Sequence, residues 1–569
     1  MSKGNGSIDL AKWRQQIADQ FLAAKPEVIR EPAPTSAEET VSDQRPTIKV
    51  TGGDRHELVD KAEAHIARRK DLYQHAGRLV RITPRGPTPA AAGRSPGNHN
   101  QSELAPARMA AVSADWLTTE LTREICWKST RKGWNANAPD YLARAVIEHR
   151  DWPTIRPLEG ITASPIVRPD GTVRTESGYD SETRLLLTAS EEFLPVVGKP
   201  SKSDAQAAAD ALAGVFQHYR FANRACISTA LSLILTRLAR HLMPLAPFHL
   251  ITSPSSGTGK TEIVKAVSRI CDGTDASLRS WPGNDEELRK VVTSCVLASQ
   301  IMVCFDNCPN GEEIASPVLD QLLTTPVYED RLLGQNTNIY AKNNLLLVGT
   351  GNNVRFAQDS IRRIIVARVL PTTEEPWNYH FPWTPSEYAR THRRELLFAA
   401  CTILSAFIQA GEPAPEGVPP LGSFERWSTL IRNALIWVGQ ADPCTTQVEL
   451  VTADSGRESL SRLVELLRSR FQSNSFLVSE VLAAASETSP HCAELKELLQ
   501  SLYSNTGPTS RSPTPQWLGK YFQAQKDCVV HEYCISGQIN KTAHANRWCI
   551  KHAADVPGVR VVTSSDSNA

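Results

Sequence analysis

The chain has 569 residues, 41% hydrophobic and 22% charged, a length that suggests about three or four domains with enough apolar residues for real cores. Lysine and arginine total 62 against 61 aspartates and glutamates, so a uniformly basic nucleic-acid coat is excluded while local basic patches are not. The longest apolar runs, 225–236 and 396–408, fall short of the roughly 18 residues a bilayer span requires, which excludes a membrane partner by this route.

The first residues, MSKGNGSIDLAKWRQQ, hold no apolar core of signal-peptide type, so a soluble, cytoplasmic protein is expected. The twelve cysteines include no Cys-x-x-Cys pair, and Cys304, Cys308, Cys528, Cys534 and Cys549 read as buried reduced thiols, not zinc ligands. Residues 1–53 are polar and proline-bearing, a loose arm. Residues 54–69 have the helical spacing of Leu58, Ala62 and Ile66, and 79–82 reads as a strand. The proline-rich stretch 83–107 is a linker or insertion. Within 108–190, Asp170-Gly171 between two alternating segments predicts a hairpin. Residues 54–190 are therefore one α/β domain with an insertion. A helical stretch, 205–243, precedes alternating strands and helices to about 372, so 191–375 forms the next domain. Residues 376–472 read as mostly helical. In 473–560 three short helix patterns precede two strands, and 561–569 is a tail.

The sharpest local signal lies at 249–270. A β-branched, leucine-rich strand ends at Ile251-Thr252, an amphipathic helix begins near Lys260, and Pro254-Ser255-Ser256-Gly257-Thr258-Gly259-Lys260-Thr261 lies between them. This matches a P-loop with Pro254 in place of the first glycine. Gly257 and Gly259 let backbone N–H groups wrap phosphates with no Cβ in the way, and the helix N-terminus adds its positive end. Ser256, Gly257, Thr258 and Gly259 are thus candidate nucleotide contacts, with Lys260 reaching the β- and γ-phosphates and Thr261 ligating Mg²⁺.

A P-loop enzyme needs a carboxylate at a strand end to position Mg²⁺ through water. The apolar run 298–305 ends in Asp306, which takes that assignment. Asn307 follows, able to orient a water but not to take its proton; Glu312 and Glu313, a few residues on, are both open candidates for that task. A further buried-type strand, 343–349, leads to Thr350-Gly351-Asn352-Asn353, where Asn352 is the first choice and Asn353 the second for touching the γ-phosphate or the attacking water. Arg362 and Arg363 then precede another strand, and an arginine delivered to a neighbour's γ-phosphate stabilises transition-state charge.

Together PSSGTGKT at 254–261, IMVCFDN at 301–307, DRLLG at 330–334, TGNN at 350–353 and DSIRRIIVARV at 359–369 resemble the AAA+ ATPase core of phage, plasmid and mobile-element replication proteins of the primase-helicase type. The likeness extends through 156–180 and 424–443 and covers roughly residues 55–555. It implies an α/β fold with an N-terminal α/β domain, a P-loop AAA+ ATPase core, a helical lid region at 376–472 and a C-terminal domain. It also implies ATP and Mg²⁺ as cofactors, a homo-oligomeric ring, ATP-driven work on DNA, and the roles given above for Lys260, Thr261, Asp306, Asn352 and Arg362 or Arg363. The departures are Pro254 and Asn307. No zinc-ribbon cysteines and no cluster of acids for primer synthesis are present, so primase activity is not expected.

Two segments are candidates for DNA contact. In ring helicases of this layout a hairpin ahead of the strand that corresponds to 343–349 projects into the pore; Arg331–Leu333 and Thr337–Tyr340 are expected to pair about a turn at 334–336, with Arg331 and Lys342 tracking the phosphate backbone and Tyr340 stacking. At the C-terminus, Thr514-Pro515 starts a helix that turns Trp517, Leu518, Tyr521 and Phe522 inward and Lys520, Gln523 and Lys526 outward, and two strands follow around a turn holding Lys541. Three helices and a two-stranded wing describe a winged-helix domain. Its span 515–551 has five cations, among them Lys520, Lys526, Lys541 and Arg547, against two acids, which suits duplex backbone contact. Trp127 and Trp134 beside a basic run keep open a single-strand-binding role for the N-terminal domain. The expectation is an ATP-dependent DNA helicase or translocase. The alternatives are an ATP-gated initiator or loader with little hydrolysis, which Asn307 favours, and a regulatory or defence NTPase with a protein target.

Overall fold

The computed structural model describes residues 45–50, 55–83, 107–129, 135–189, 191–196, 198–310, 313–331, 338–371, 382–447, 455–472, 474–487, 490–506, 513–525, 533–539, 546–552 and 555. They divide into two compact units, Met1–Thr446 and Gln447–Ala569.

In the first unit, helices Arg55–Ile66, Ala114–Glu124 and Asp140–His149 bury Leu58, Ile66, Leu117, Leu121, Leu142 and Val146 with Trp152 in one apolar cluster, as their 3–4 residue spacing requires. The strand Thr47–Val50 runs parallel to Cys126–Ser129, so the last part of the expected arm belongs to a sheet. Trp127 in that second strand is 1% exposed and donates its indole N–H to Leu121 O at 2.9 Å, which makes it a core residue and removes it from the single-strand-binding reading. Trp134 lies outside the described residues. Strand Arg78–Thr83 pairs with Arg108–Ala111 across 84–106, which also lie outside them. The Asp170-Gly171 hairpin forms between Ile166–Val167 and Val173–Arg174, with Gly171 at φ +84° and the Asp170 carboxylate accepting the Thr172 N–H at 2.8 Å.

The centre of the unit is a five-stranded sheet of β1 (Phe248–Ser253), β2 (Leu278–Ser280), β3 (Met302–Cys308), β4 (Leu346–Asn352) and β5 (Ile364–Arg368) in the order β2-β3-β4-β1-β5, every pair parallel. Parallel strands need crossovers that cover both faces, which is why all six residues of β1 are buried. The helix Lys260–Asp272 leads from β1 towards β2. The helix Asp285–Leu297 leads from β2 to β3, its Asn284 side chain accepting the Glu287 N–H and three acids in its first turn. In register, Ser253 lies opposite Asn352 and Ser280 opposite Asp306, so the carboxyl ends of four strands meet at one edge. The P-loop strand β1 sits where the strand order reverses, the place where open α/β sheets hold ligands.

Beyond the sheet, helix Pro385–Thr391 is tied to the P-loop helix by Ser386, whose hydroxyl donates to Glu262 at 2.6 Å, and Arg393–Gln409 is buried over most of its length. Trp427 donates its indole N–H to Thr236 at 2.9 Å.

The second unit gathers helices Ser455–Phe471, Val478–Ala484, Pro490–Thr506 and Pro515–Ala524 with an antiparallel pair, Tyr533–Ile539 and Asn546–His552, around Leu463, Leu467, Phe476, Leu518, Phe522 and Trp548. The first of these helices falls within the span 376–472 that composition assigns to the helical region, yet its apolar stripe is part of the C-terminal core. Thr514 caps the last helix ahead of Pro515, and Leu518 and Phe522 are buried while Lys520 and Gln523 are exposed.

Candidate nucleotide-binding site

The loop 254–259 leaves the carboxyl end of β1. Gly257 and Gly259 have φ +74° and +79°, a region where a Cβ is unfavourable. A Cβ on Gly259 would also lie 2.4 Å from the Tyr219 hydroxyl, which donates to Gly259 O at 3.1 Å. Tyr219, 40 residues before the loop, is thus its backing; burial pushes its phenol well above the ordinary tyrosine value. No side chain caps the first turn of Lys260–Asp272, which leaves its amides directed at the loop. Ser256 and Gly257 form the exposed tip and Thr258 is buried. The Lys260 ammonium donates to Ser255 O at 3.1 Å and to the Thr258 hydroxyl at 3.3 Å. Burial lowers its pKa, and the Asp306 carboxylate works against that shift.

Asp306, partly buried near the end of β3, accepts the Thr261 hydroxyl at 3.0 Å and also the Thr350 hydroxyl from β4 on the same oxygen, Oδ1. The P-loop helix, the carboxylate strand and the next strand therefore converge on one atom. Asn307 has φ +57° beside a register shift in the β3–β4 pairing and is exposed; asparagine is among the few residues that tolerate that backbone. Glu313 is in a two-residue strand opposite Arg355, exposed, and Glu312 lies outside the described residues.

Asn352, opposite Ser253, has a buried Oδ1 with no hydrogen-bond partner, and so has the Ser255 hydroxyl. An unpaired buried polar atom costs roughly 1–3 kcal/mol, so two of them at this edge mark a place shaped for a polar ligand. Asn353, the second choice, has φ +46° and donates its amide to Pro254 O at 3.4 Å, bracing the loop. The donor set fits ATP with Mg²⁺: Lys260 and the loop amides for the phosphates, Thr261 for the cation, and Asp306 one hydrogen bond away to hold its water. Among the described residues no group of three or more His, Cys, Asp or Glu is arranged to hold a metal by itself.

The arginine pair divides. The Phe248 N–H donates to Arg363 O at 2.9 Å, so both arginines lie at the amino end of β1, about 17 Å of strand away from the loop at its carboxyl end. Neither can serve its own P-loop. Arg363 is held by Asp320 at 2.8 Å, with a side chain 13% exposed, whereas Arg362 is exposed.

The hairpin ahead of β4 exists, but its paired strands lie farther from the turn than expected, the first earlier and the second later in the chain, Val327–Arg331 against Asn338–Lys342, with 332–337 outside the described residues. Tyr340 is 57% exposed and Arg331 is exposed. Lys342 is at the base, not the tip, and its ammonium donates to His241 O at 2.9 Å. In the second unit Lys520 is exposed. Arg547 is exposed and donates to Ser475 through its Nε (Oγ, 3.2 Å) and Nη2 (O, 3.3 Å). Lys526 and Lys541 lie outside the described residues.

No family model and no curated protein matches the chain. Among solved structures it is similar to the apo A form of the C-terminal region of NrS-1 (12% identity, 62% of this chain and 76% of that one, TM-score 0.29). It is also similar to JCV helicase (14%, 46% and 63%, 0.21) and to SCCmec type IV Cch, described as an active helicase (11%, 85% and 97%, 0.31). At these scores the likeness adds no argument, and the functional reading rests on the chain's own residues.

The sequence reading missed two residues of this site. Thr350 looks like any strand threonine until the β3–β4 pairing sets it against Asp306. Tyr219 gives no local signal at all. Among the described residues no helix is long and apolar enough to cross a membrane.

Proposed function

We propose that the chain is an ATP-dependent DNA helicase or translocase of AAA+ type, working as a homo-oligomeric ring in the replication of a phage, plasmid or integrated mobile element. The observation that carries the ATPase part is the convergence of Thr261 and Thr350 on Asp306 beside Lys260, which is the arrangement phosphoryl-transfer chemistry needs: phosphates cradled, cation held, charge neutralised. The strand order β2-β3-β4-β1-β5 supports the AAA+ assignment, and the mobile-element role rests on the ordered motifs alone. Lys260 steadies the β- and γ-phosphates, Thr261 and Asp306 hold Mg²⁺, and Asn352 and Asn307 orient the attacking water. The place of Arg362 at the far end of the sheet favours a neighbour's site, which is what makes a ring the natural assembly. Arg331 and Tyr340 on the hairpin engage single-stranded DNA in the pore, and Lys520, Lys526 and Lys541 in a winged-helix domain engage duplex.

A second reading, an ATP-gated initiator or loader with little turnover, is favoured by Asn307, an amide where a proton acceptor would be useful. Strand displacement on a labelled forked duplex separates the two. Displacement that needs ATP and Mg²⁺ and is lost in Asp306→Asn supports the motor. ATP-dependent DNA binding without displacement supports the switch and refutes the motor.

A further inference from the structure

The turn Arg240–Leu242 joins the end of the long helix Arg224–Ala239 to the approach to β1. Arg240 is 1% exposed, and its guanidinium donates to four main-chain carbonyls: Met243 O at 2.7 Å, Pro244 O at 3.3 Å, Asn343 O at 2.6 Å and Leu345 O at 2.8 Å. The first two lead into the P-loop strand β1. The other two are the junction at which the hairpin becomes β4. One residue on, His241 O accepts the Lys342 ammonium at the hairpin base, and His241 Nε2 lies 2.8 Å from Val167 O. Asn343 closes the opposite side by donating to Leu322 O at 2.7 Å and Thr325 O at 2.9 Å.

Burying a cation costs several kcal/mol, and an apolar side chain of similar volume often serves stability as well or better. What an apolar chain cannot do is fix four carbonyls in one geometry, which the rigid five-donor fork of a guanidinium does. We propose that Arg240 is a positioning residue that makes the hairpin a rigid extension of β4, so that hairpin movement is carried to Thr350 and Asn352 and not absorbed by flexing at 343–345. From Leu345 to Thr350 is five residues, about 17 Å of strand. The interior of β4 is buried between β3 and β1, so it shifts as a body. This inference rests on the reading of the hairpin as a DNA-engaging element.

Arg240→Lys keeps a cation and removes the fork. ATP turnover is measured without DNA and at saturating single-stranded oligonucleotide, together with oligonucleotide affinity and thermal unfolding. Basal turnover and DNA affinity are expected within about 2-fold of wild type, while the ratio of stimulated to basal turnover falls roughly 2- to 30-fold. A lowered melting temperature with a wild-type ratio overturns the proposal, because it leaves Arg240 a purely structural role. Wild-type protein that DNA does not stimulate overturns the helicase reading and this inference with it, an outcome visible before any variant is made. Should Arg240→Lys not fold, Lys342→Met releases the same junction from His241 at the surface; a reduced ratio at unchanged DNA affinity supports the clamp, and an unchanged ratio overturns it.

Discussion

Arg362 and Arg363 are adjacent in sequence and opposite in circumstance, so alanine at each should fail in a different way. Arg363 donates through Nη1 to Asp320 at 2.8 Å, and the same carboxylate accepts the Ser360 hydroxyl at 3.0 Å. Breaking a fully buried ion pair costs 3–5 kcal/mol and losing a hydrogen bond to a charged group 1.5–3; with Asp320 26% exposed, the lower range applies, about 1.5–3 kcal/mol. Arg362 is exposed at the end of the short helix Gln358–Ile361, so its removal should cost less stability than that of Arg363, about 0–1 kcal/mol. Its loss should instead lower ATP turnover by roughly 10³–10⁵ if it completes a neighbour's site. The assay is urea unfolding and ATP turnover for each variant, followed by mixing Arg362→Ala with Lys260→Ala. If Arg362 acts in a neighbour's site, mixed assemblies pair an intact P-loop from one variant with an intact Arg362 from the other, so partial rescue is expected. Full activity of Arg362→Ala, or loss with no rescue on mixing, would refute the trans assignment. An unfolding midpoint of Arg363→Ala equal to wild type would refute the structural role of Arg363.

Thr350→Val keeps shape and removes the donor to Asp306; loss of a charged hydrogen bond of about 1.5–3 kcal/mol should lower Mg²⁺-dependent turnover roughly 10- to 100-fold, measured at saturating ATP, and an unchanged rate would show that Thr350 does not hold the carboxylate. Gly259→Ala forces a Cβ into the Tyr219 hydroxyl and should abolish ATP binding in calorimetry, whereas Gly283→Ala, with nothing within 4 Å of its Cβ, should bind as wild type. Equal binding by both would contradict the described loop. His249, 1% exposed between Pro247 O and the Ser232 hydroxyl, has its pKa pushed down to about 3 by burial. The unfolded chain therefore takes up a proton below the ordinary value of 6.5 that the folded ring refuses, and stability falls as pH drops through 6.5, by about 2 kcal/mol at pH 5. Urea unfolding of wild type and His249→Gln at pH 7.5 and 5.0 checks this; the wild type should lose more than the variant, and equal losses would contradict it.

Local patterns with a local cause were legible in the sequence. The P-loop, the capped helix starts at Asn284 and Thr514, the Asp170-Gly171 turn and the carboxylate strand ending near Asp306 each follow from residues within a few positions of one another, and each forms. What the sequence hid depends on long-range register. Thr350 meets Asp306 only through the β3–β4 pairing, and Tyr219 reaches Gly259 across 40 residues. Two adjacent arginines look alike until one of them finds Asp320, 43 positions away. Lys342 and Arg547 have the composition of nucleic-acid contacts, yet each donates to a main-chain carbonyl of this chain. The helix Ser455–Phe471 has an amphipathic stripe that fits either neighbour equally well in sequence, and only its packing against Leu495, Leu499 and Phe476 assigns it to the second unit.

The central claim is that this site hydrolyses ATP and that DNA drives it. Its most direct test is ATP turnover by the purified protein with and without single-stranded DNA, beside Lys260→Ala. Turnover that DNA stimulates strongly and Lys260→Ala lacks is the predicted result. ATP binding with negligible turnover in both conditions, or turnover that survives Lys260→Ala, would contradict the account.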